Sequence, residues 1–454
     1  MGVLSQDVPE DKALRLGHFA IDPTAQAVAD GDRFFQRHAA ILGSTGSGKS
    51  YTVASILERA NTLSHPNLLL LDMHGEYASL AKGRPNGYAE YFKIAGPGDL
   101  LDPKPHIIFL PFWLLNRDEI LSMLLDRTDQ NAPNQAMVFT KLVRENKQKK
   151  LHEEGRIEVE ASFTVDSPIP YDLQSVITEL DRLDNDREPG ARAGSDRKGE
   201  WNGKLTRFLS RLRAKLEDRR YGFLFQPPSG TSSYDWMQDM AVNFLSTKEG
   251  SRPGIKVVDF SEVPADVLPT VVSVLARVLY DVQFWMRDES RTPVCLVCDE
   301  AHLYLPVRSD ADAEAKRALD TFERIAKEGR KYGFSLLVVS QRPSDVSKTI
   351  LSQCNNFIAL RLTNEQDQSA VRSVMPDSMV GIADVLPLLD IGEAIILGDS
   401  ILLPSRIKLD MPLVKPLSLT RNFWREWAER SSDSAAIRTA VECLRRQSRG
   451  TGRN

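Results

Sequence analysis

The sequence predicts an α/β fold with a mostly parallel sheet and helices on both of its faces. Three observations lead to this prediction. Short apolar segments of strand length alternate with longer segments whose apolar residues recur at helical spacing. The first of these strands leads through a glycine-rich loop directly into a helix. Between residues 113 and 232 the alternation stops and charged amphipathic helices replace it, which indicates a helical insertion in the core.

The predicted elements follow one another in five blocks. Residues 1–36 form a short lead-in, too small for a domain of its own. Residues 37–112 and 233–410 carry the alternating strands and helices, residues 113–232 are the helical insertion, and residues 411–454 are an arginine-rich C-terminal helical tail. Strands are predicted at 38–42, 67–72, 107–110, 255–260, 294–298, 334–340, 357–362 and 393–397.

Composition limits the classes of protein to consider. Of the 454 residues, 42% are hydrophobic and 26% are charged, which is usual for a soluble globular protein. No apolar run approaches the roughly 18 residues that cross a bilayer, and the N-terminus lacks the order of a signal peptide. Four cysteines form no disulfide scaffold, and Cys295 and Cys298 are predicted to be buried core residues rather than a zinc or redox pair. We expect a cytoplasmic protein with no membrane partner.

Charge leaves nucleic-acid binding open. The net charge of −4 does not indicate it. A predicted helix near residues 204–220 and the last residues of the chain are nevertheless rich in arginine and lysine. Such segments are usually the solvated faces of helices, and the alternative is contact with phosphates.

Residues 43–50 match the pattern G-x-x-x-x-G-K-[ST]. A strand before it and a helix after it indicate a phosphate-binding P-loop rather than an ordinary turn. Backbone N–H groups of the loop and of the helix N-terminus hold negative charge. Lys49 is expected to contact the β- and γ-phosphates, and the Ser50 hydroxyl to bind Mg²⁺. The predicted nucleotide-binding residues are Gly43, Ser44, Thr45, Gly46, Ser47, Gly48, Lys49, Ser50 and Tyr51.

Two acids end a second apolar strand, at 294–298, in the arrangement known as Walker B. Asp299 is expected to hold Mg²⁺ through its water shell, and Glu300 to act as the general base on the attacking water. Two carboxylates at the end of a buried strand are costly unless a metal or another cation lies beside them. That cost favours a functional site over an ordinary acidic loop.

Further polar residues follow the strand at 334–340. Gln341 comes at its carboxyl end, where open α/β sheets place their ligands, and is the candidate sensor of the γ-phosphate. An arginine from a neighbouring subunit can stabilise phosphoryl transfer. Arg330, Arg342 and Arg361 are the candidates, and Arg330 is the first choice because glycines and another cation surround it. An ordinary surface arginine is the alternative for each.

These motifs together resemble the HerA branch of the HerA/FtsK ATPases. The P-loop and Walker B are shared with many NTPases, so the specific part of the resemblance is two other segments. They are Asp72-Met73-His74-Gly75-Glu76-Tyr77 and Glu328-Gly329-Arg330-Lys331-Tyr332-Gly333, the latter followed by Ser340-Gln341-Arg342-Pro343. The resemblance implies a RecA-like P-loop NTPase core and a homo-hexamer that moves double-stranded DNA through a central channel.

The resemblance also implies cofactors, partners and residue roles. The cofactors are ATP and Mg²⁺. Glu76 and His74 would lie near the nucleotide or couple it to the DNA-facing loops, and Arg330 would act on the neighbouring subunit's site. Such proteins work with a nuclease of the NurA kind, or with sirtuin-type or other effectors in anti-phage defence. Family members usually begin with a small β-barrel, whereas only about 36 residues precede the first predicted strand here, so either the barrel is reduced or absent or the chain is an N-terminally shortened version.

Two hypotheses of function follow. The first is an ATP-hydrolysing hexameric DNA translocase or helicase that works with a partner nuclease or NAD-consuming effector. The second is a regulatory ATPase ring that assembles and switches a partner effector without processive translocation. A protein-remodelling ATPase is disfavoured by the segments that carry the resemblance.

Overall fold

The computed structural model of the chain describes residues 8–126, 128–189, 196–311, 313–375, 377–418, 422–429, 431 and 433–447. These residues form two compact units. Unit 1 comprises the described parts of 1–94 and 241–442, and unit 2 those of 95–240 and 443–454. None of the helices in these ranges has the length and hydropathy needed to span a bilayer.

The described strands, in chain order, are β1 Ala13–Phe19, β2 Gln26–Asp30, β3 Ala39–Leu42, β4 Leu68–Asp72, β5 Ala89–Ile94, β6 Ile107–Ile108, β7 Arg187–Pro189, β8 Asp196–Lys198, β9 Ile255–Asp259, β10 Val294–Cys298, β11 Phe334–Ser340, β12 Asn356–Leu360, β13 Glu393–Gly398 and β14 Ser405–Leu409. The described α-helices are α1 Gly31–Gln36, α2 Lys49–Asn61, α3 Arg117–Leu124, α4 Ala132–Glu153, α5 Ile157–Glu160, α6 Leu173–Asp184, α7 Thr206–Glu217, α8 Gly222–Phe225, α9 Trp236–Leu245, α10 Leu268–Trp285, α11 Ala313–Glu328, α12 Lys348–Leu351, α13 Glu365–Val374, α14 Phe423–Glu429 and α15 Ser434–Arg446.

Unit 1 is built on a mostly parallel sheet, as the sequence predicts. Its strand order is β2-β1-β14-β13-β12-β3-β11-β10-β4-β9-β5. The run from β12 to β5 is parallel, whereas β13, β14, β1 and β2 pair antiparallel at one side. Every residue of β3, β4, β9, β10, β11 and β12 is buried. Continuous apolar strands of this kind are typical of parallel sheets whose two faces are both covered.

The register of the central strands brings their carboxyl ends to one edge. Ser340 of β11 lies opposite Leu42 of β3, and Cys298 of β10 lies opposite Val338 of β11. The segments that follow β3, β4, β10 and β11 therefore meet at this edge, which is where an open α/β sheet binds its ligands. Cys295 and Cys298 are buried and free on β10, as predicted.

Most of the elements that the sequence did not predict lie at the antiparallel side of the sheet. β1, β2 and α1 lie within residues 1–36, and β14 lies just before residue 410. Burial in β1 and β2 mixes buried with half-exposed positions, because this side of the sheet is not covered on both faces. The resulting mixed polar pattern is a much weaker strand signal than a continuous apolar run. β5, at the opposite side, has the same mixed burial.

Unit 2 is mainly helical and has an aromatic core. Its ring pairs include Trp113 against Trp236 at 5.7 Å and Phe139 against Phe208 at 5.3 Å. The basic helix expected near residues 204–220 is α7, which buries Phe208, Leu209 and Leu212. Two of its arginines are ion-paired, Arg211 with Asp126 at 3.2 Å and Arg213 with Asp181. The charged face of α7 is thus partly neutralised by carboxylates of its own unit.

A buried histidine joins three elements of unit 1. His38 precedes β3, is 4% exposed, and has a positive φ of 51°. The Leu336 N–H donates to its Nδ1 at 2.9 Å, and its Nε2 lies 3.0 Å from the Ala326 carbonyl of α11. Both contacts are satisfied by a neutral ring that carries its proton on Nε2. Burial lowers the pKa of His38 to about 4.

The His38 contacts predict a pH dependence of stability. The unfolded ring has a pKa near 6.5, so the folded pKa is depressed and the unfolded state binds the proton more readily. This contribution to stability is complete above pH 6.5 and is lost as the pH falls toward 4. Between pH 7 and pH 5 the wild type should lose about 2 kcal/mol more unfolding free energy than His38→Asn. Urea titrations of both proteins at the two pH values measure the difference, and equal losses would contradict it. Asparagine is the suitable control because it tolerates a positive φ and does not titrate.

Candidate active site

The P-loop joins β3 to α2 at the carboxyl edge of the sheet. The Gly43 N–H donates to Ser340 O at 3.2 Å and the Ser44 N–H to Arg361 O at 2.8 Å, which fixes the loop to both neighbouring strands. A side chain at Gly43 would place Cβ 2.6 Å from Ser47 Oγ and 2.8 Å from Leu360 Cβ, so only glycine fits. Gly48, with φ 110°, begins α2 without any side-chain cap. Uncapped N–H groups at a helix N-terminus suit an anion such as a phosphate.

Lys49 and Ser50 face acids at this edge. Lys49 is buried, and its Nζ donates to Ser44 O at 3.2 Å. Burial lowers the pKa of Lys49, while the nearby carboxylates of Glu300, Asp299 and Glu76 act in the opposite direction. Ser50 Oγ donates to Glu76 Oε2 at 2.8 Å. The structure therefore brings Glu76 to the P-loop, and Tyr51 is half-buried in the first turn of α2.

Of the two acids after β10, Asp299 is buried and Glu300 is half-buried, with its side chain 12% exposed. Asp299 is 4% exposed, and burial, followed by the charge of Glu300, raises its pKa well above the usual value. Burial also raises the pKa of Glu300, and Lys49 opposes this. Glu300 has a φ of 45°, which is strained for a residue other than glycine, and its Oε2 is buried with no hydrogen-bond partner. Such an orphaned carboxylate oxygen is suited to accept a proton from a bound water.

The donor set fits Mg²⁺ bound together with a nucleotide. Among the residues that the structure describes, no group of three His, Cys, Asp or Glu side chains could hold a metal by itself. Mg²⁺ usually takes one or two protein ligands and fills its octahedron with phosphate oxygens and waters. The Ser50 hydroxyl and the Asp299 carboxylate are the protein groups available for that arrangement.

A turn organised by Asp72 presents Glu76. Asp72 Oδ1 accepts from the N–H groups of His74, Gly75 and Glu76, and Oδ2 accepts from that of Tyr77, at 2.8 to 3.3 Å. Gly75 has a φ of 71°, which this turn requires. Burial raises the pKa of Asp72 to about 7. His74 is exposed at the tip of the turn, and its charge affects the pKa of Glu300.

The sensor candidate joins the P-loop to the base. Gln341 Oε1 accepts a hydrogen bond from Thr45 Oγ1 of the P-loop. The Gln341 backbone N–H lies near enough to the Glu300 carboxylate to lower its pKa. Gln341 is therefore in contact with both halves of the site. The Thr45 contact and the organising role of Asp72 escaped sequence reasoning, although an aspartate three residues before a glycine is a signal for such a turn.

The three candidate arginines lie in different places. Arg330 is exposed in the 3₁₀ turn Gly329–Tyr332, just before β11. The seven residues of β11 separate this turn from Gln341, about 20 Å at ~3.3 Å per residue. Arg342 is exposed and 3.7 Å from Asp345. Arg361 is half-buried beside the P-loop, with its Nε buried and without a hydrogen-bond partner. The structure thus does not bring Arg330 to the P-loop of its own chain.

Matches to known protein families cover most of the chain. The family described as "Helicase HerA, central domain" matches residues 14–279, and "Helicase HerA-like C-terminal" matches residues 244–411. A probable helicase of Methanocaldococcus jannaschii is 29% identical over 87% of this chain and 67% of its own length. The DNA double-strand break repair helicase HerA of Saccharolobus solfataricus is 28% identical over 87% of this chain and 68% of its own. The structure of VirB4 of Thermoanaerobacter pseudethanolicus superposes with a TM-score of 0.56 at 17% identity, covering 89% of this chain and 98% of that chain, which shows the shared fold alone.

The Asp72 contacts predict that Asp72→Asn damages the site without touching a phosphate ligand. An asparagine offers one acceptor oxygen, and its NH₂ group would face a backbone N–H of the turn. Loss of one such contact to a buried carboxylate should lower the unfolding free energy by about 1–3 kcal/mol. ATPase activity should fall by more than the loss of folded protein explains, because the disturbed turn no longer holds Glu76 in its hydrogen bond with Ser50. Urea titration and steady-state turnover measure the two effects. The exposed Asp288, changed to Asn, is the control, and wild-type turnover of Asp72→Asn would contradict the prediction.

Proposed function

Because the chain belongs to the HerA helicase family and is an ATP-hydrolysing enzyme with an α/β RecA-like core, we propose that it is a hexameric motor that moves along double-stranded DNA. The observation that carries the proposal is the separation of two groups. The P-loop, the acids and Gln341 share one edge of the sheet, whereas Arg330 lies beyond the opposite end of β11. Each chain then holds one part of a site and offers the arginine for another.

Within one subunit, each side chain has a distinct task. The loop N–H groups and Lys49 bind the phosphates of ATP. The Ser50 hydroxyl, and Asp299 through water, would hold Mg²⁺, which when bound would supply positive charge against the phosphate oxygens. Glu76 holds the Ser50 hydroxyl in place. Gln341 senses the γ-phosphate because it contacts both Thr45 and Glu300.

Glu300 takes the proton of the attacking water. A general base works best when its pKa lies near the working pH. Burial raises the pKa of this carboxyl. Its Oε2, which accepts no hydrogen bond in the structure, is available to accept the proton. Hydrolysis by this route needs no other base in the subunit.

The C-terminal helices support assembly with other copies of the chain. Neither α14 nor α15 buries any residue. α14 exposes Phe423, Trp424 and Trp427, and α15 exposes Ile437, Val441 and Leu444 at helical spacing. Exposed apolar stripes of this size indicate an interface.

The DNA substrate is proposed from the relatives, some of which are named as DNA double-strand break repair helicases. By the resemblance, a NurA-like nuclease or a sirtuin-type or other defence effector would act with the ring, in DNA end processing or anti-phage defence. The competing proposal is a ring that assembles and switches such an effector without moving along DNA. The response of ATP turnover to DNA separates the two.

The motor proposal predicts that double-stranded DNA raises ATP turnover several-fold. DNA binding should weaken steeply with salt, by about 10³-fold between 50 and 200 mM if about six phosphates are contacted. Glu300→Gln should bind ATP normally and hydrolyse almost none with or without DNA, and the exposed Glu289→Gln serves as the matched control. A coupled ATPase assay and fluorescence anisotropy measure these effects. Turnover that stays flat across the DNA titration contradicts the motor and leaves the regulatory ring.

A mixing experiment tests whether Arg330 acts on the neighbouring subunit. Alone, Arg330→Ala should lose at least about 100-fold in turnover, as expected for a trans-acting arginine. Mixed in equal amounts with Glu300→Gln, it should recover up to about a quarter of wild-type activity, because one interface in four combines an intact base with an intact arginine in a random ring. The exposed Lys331→Ala is the control. No recovery after subunit exchange would mean that Arg330 does not act in trans.

A further inference from the structure

His302 contacts the proposed base and the strand that leads to the sensor. It lies in the 3₁₀ turn Ala301–Leu303 that follows Glu300, and its side chain is 10% exposed. Its Nδ1 is 3.3 Å from Glu300 Oε2 and 3.3 Å from Ser340 Oγ. Ser340 is the last residue of β11 and is fully buried, and its Oγ also accepts the N–H of Arg342 at 3.0 Å.

The charge state of His302 limits what it can do. Burial, reinforced by Arg342, lowers the pKa of His302 to about 4, so the ring is neutral near pH 7. A neutral ring has one N–H donor and one acceptor nitrogen. Nδ1 lies 3.3 Å from a carboxylate oxygen that has no hydrogen-bond partner, and an acceptor nitrogen at this place would repel it. The tautomer with the proton on Nδ1 is therefore the favoured one, and it aims that proton between Glu300 and Ser340.

These contacts form a continuous connection around the base. The Gln341 backbone N–H lies near enough to the Glu300 carboxylate to lower its pKa, and His302 Nδ1 lies 3.3 Å from Glu300 Oε2. The Gln341 side chain in turn bonds to Thr45 of the P-loop. Glu300 needs such support, because its left-handed backbone conformation is strained and persists only when its surroundings fix it.

We propose that His302, supported by Ser340, is a positioning residue that orients the Glu300 carboxylate toward the attacking water. The inference rests on the assignment of Glu300 as the base and is independent of whether DNA is the substrate. Nδ1 of His302 steadies Oε2 in the direction from which it accepts the proton, and Ser340 ties the ring to the strand that ends at Gln341. His302 itself exchanges no proton and touches no nucleotide.

The test compares two substitutions of His302 in steady-state ATP hydrolysis. His302→Ala should lower kcat by about 10- to 100-fold, because a small misplacement of a reacting group costs that much. Its KM for ATP should stay within about twofold, since no ATP contact is lost. His302→Asn should remain within about threefold of the wild-type kcat, because the asparagine NH₂ can take the place of the Nδ1 proton. Wild-type kcat in His302→Ala, or an Asn variant as impaired as the Ala variant, overturns the proposal.

Ser340→Ala supplies a second line of evidence that does not depend on the folding of His302→Ala. It should lower kcat, and in the double variant its effect should not add to that of His302→Ala, because both act through one contact. Full additivity, or wild-type kcat in Ser340→Ala, counts against the connection. Glu300→Gln, measured alongside, distinguishes a failure of the base assignment from a failure of the positioning role. Persistent turnover there refutes the base assignment, whereas an inactive Glu300→Gln with a normal His302→Ala refutes the positioning role alone.

Discussion

The site depends on one electrostatic constraint, the crowding of one buried and two half-buried carboxylates around a single lysine. Asp299 and Glu300 directly follow β10, and Glu76 accepts a hydrogen bond from Ser50. Lys49 is the cation near all three carboxylates. Burial raises the pKa of both β10 acids, so the charged forms are disfavoured without more positive charge. Buried charges of one sign are stable only when cations or hydrogen-bond donors compensate them. A bound metal with a nucleotide provides such compensation. The crowded carboxylates therefore favour the nucleotide-bound state of the site over the empty one.

The acids meet at one edge of the sheet because β3, β4 and β10 are apolar up to their ends, where polar side chains begin. Four parallel strands put their carboxyl ends at one edge, so acids and amides that follow them in the sequence meet in space. Local backbone features, a turn and a left-handed residue, then set the directions of the side chains. Four N–H groups on Asp72 shape the turn that carries Glu76. The left-handed backbone of Glu300 turns its carboxyl back toward Gln341.

The sequence predicted strand bounds correctly where a strand is continuously apolar. It failed where a strand has a half-exposed face, or where a side chain's position depends on contacts with residues distant in sequence. The bounds predicted for the strands at 294–298 and 334–340 match β10 and β11, because both strands are covered on two faces and every residue is apolar or small. β1, β2, β5 and β14 were missed, since a strand with a half-exposed face carries a mixed pattern. Residues 107–110 were predicted as one strand, of which only Ile107–Ile108 pairs. The roles assigned to the site residues remain predictions. The contact of His302 with Glu300 depends on a strained backbone angle that no spacing rule encodes.

β11 connects the two ends of the proposed mechanism. Ser340 ends this strand and Gln341 follows it, and both are proposed to support the base of one site, while the turn before its first residue carries Arg330, which is proposed to serve another. His38 fixes this strand to the P-loop strand and to α11 through two buried hydrogen bonds. A buried strand held in this way cannot move at one end alone, because close-packed interiors transmit displacement rather than absorb it. In a ring of such subunits, a change at Gln341 when the γ-phosphate leaves would reach Arg330 and so the next site, which gives neighbouring subunits a physical reason to hydrolyse in sequence.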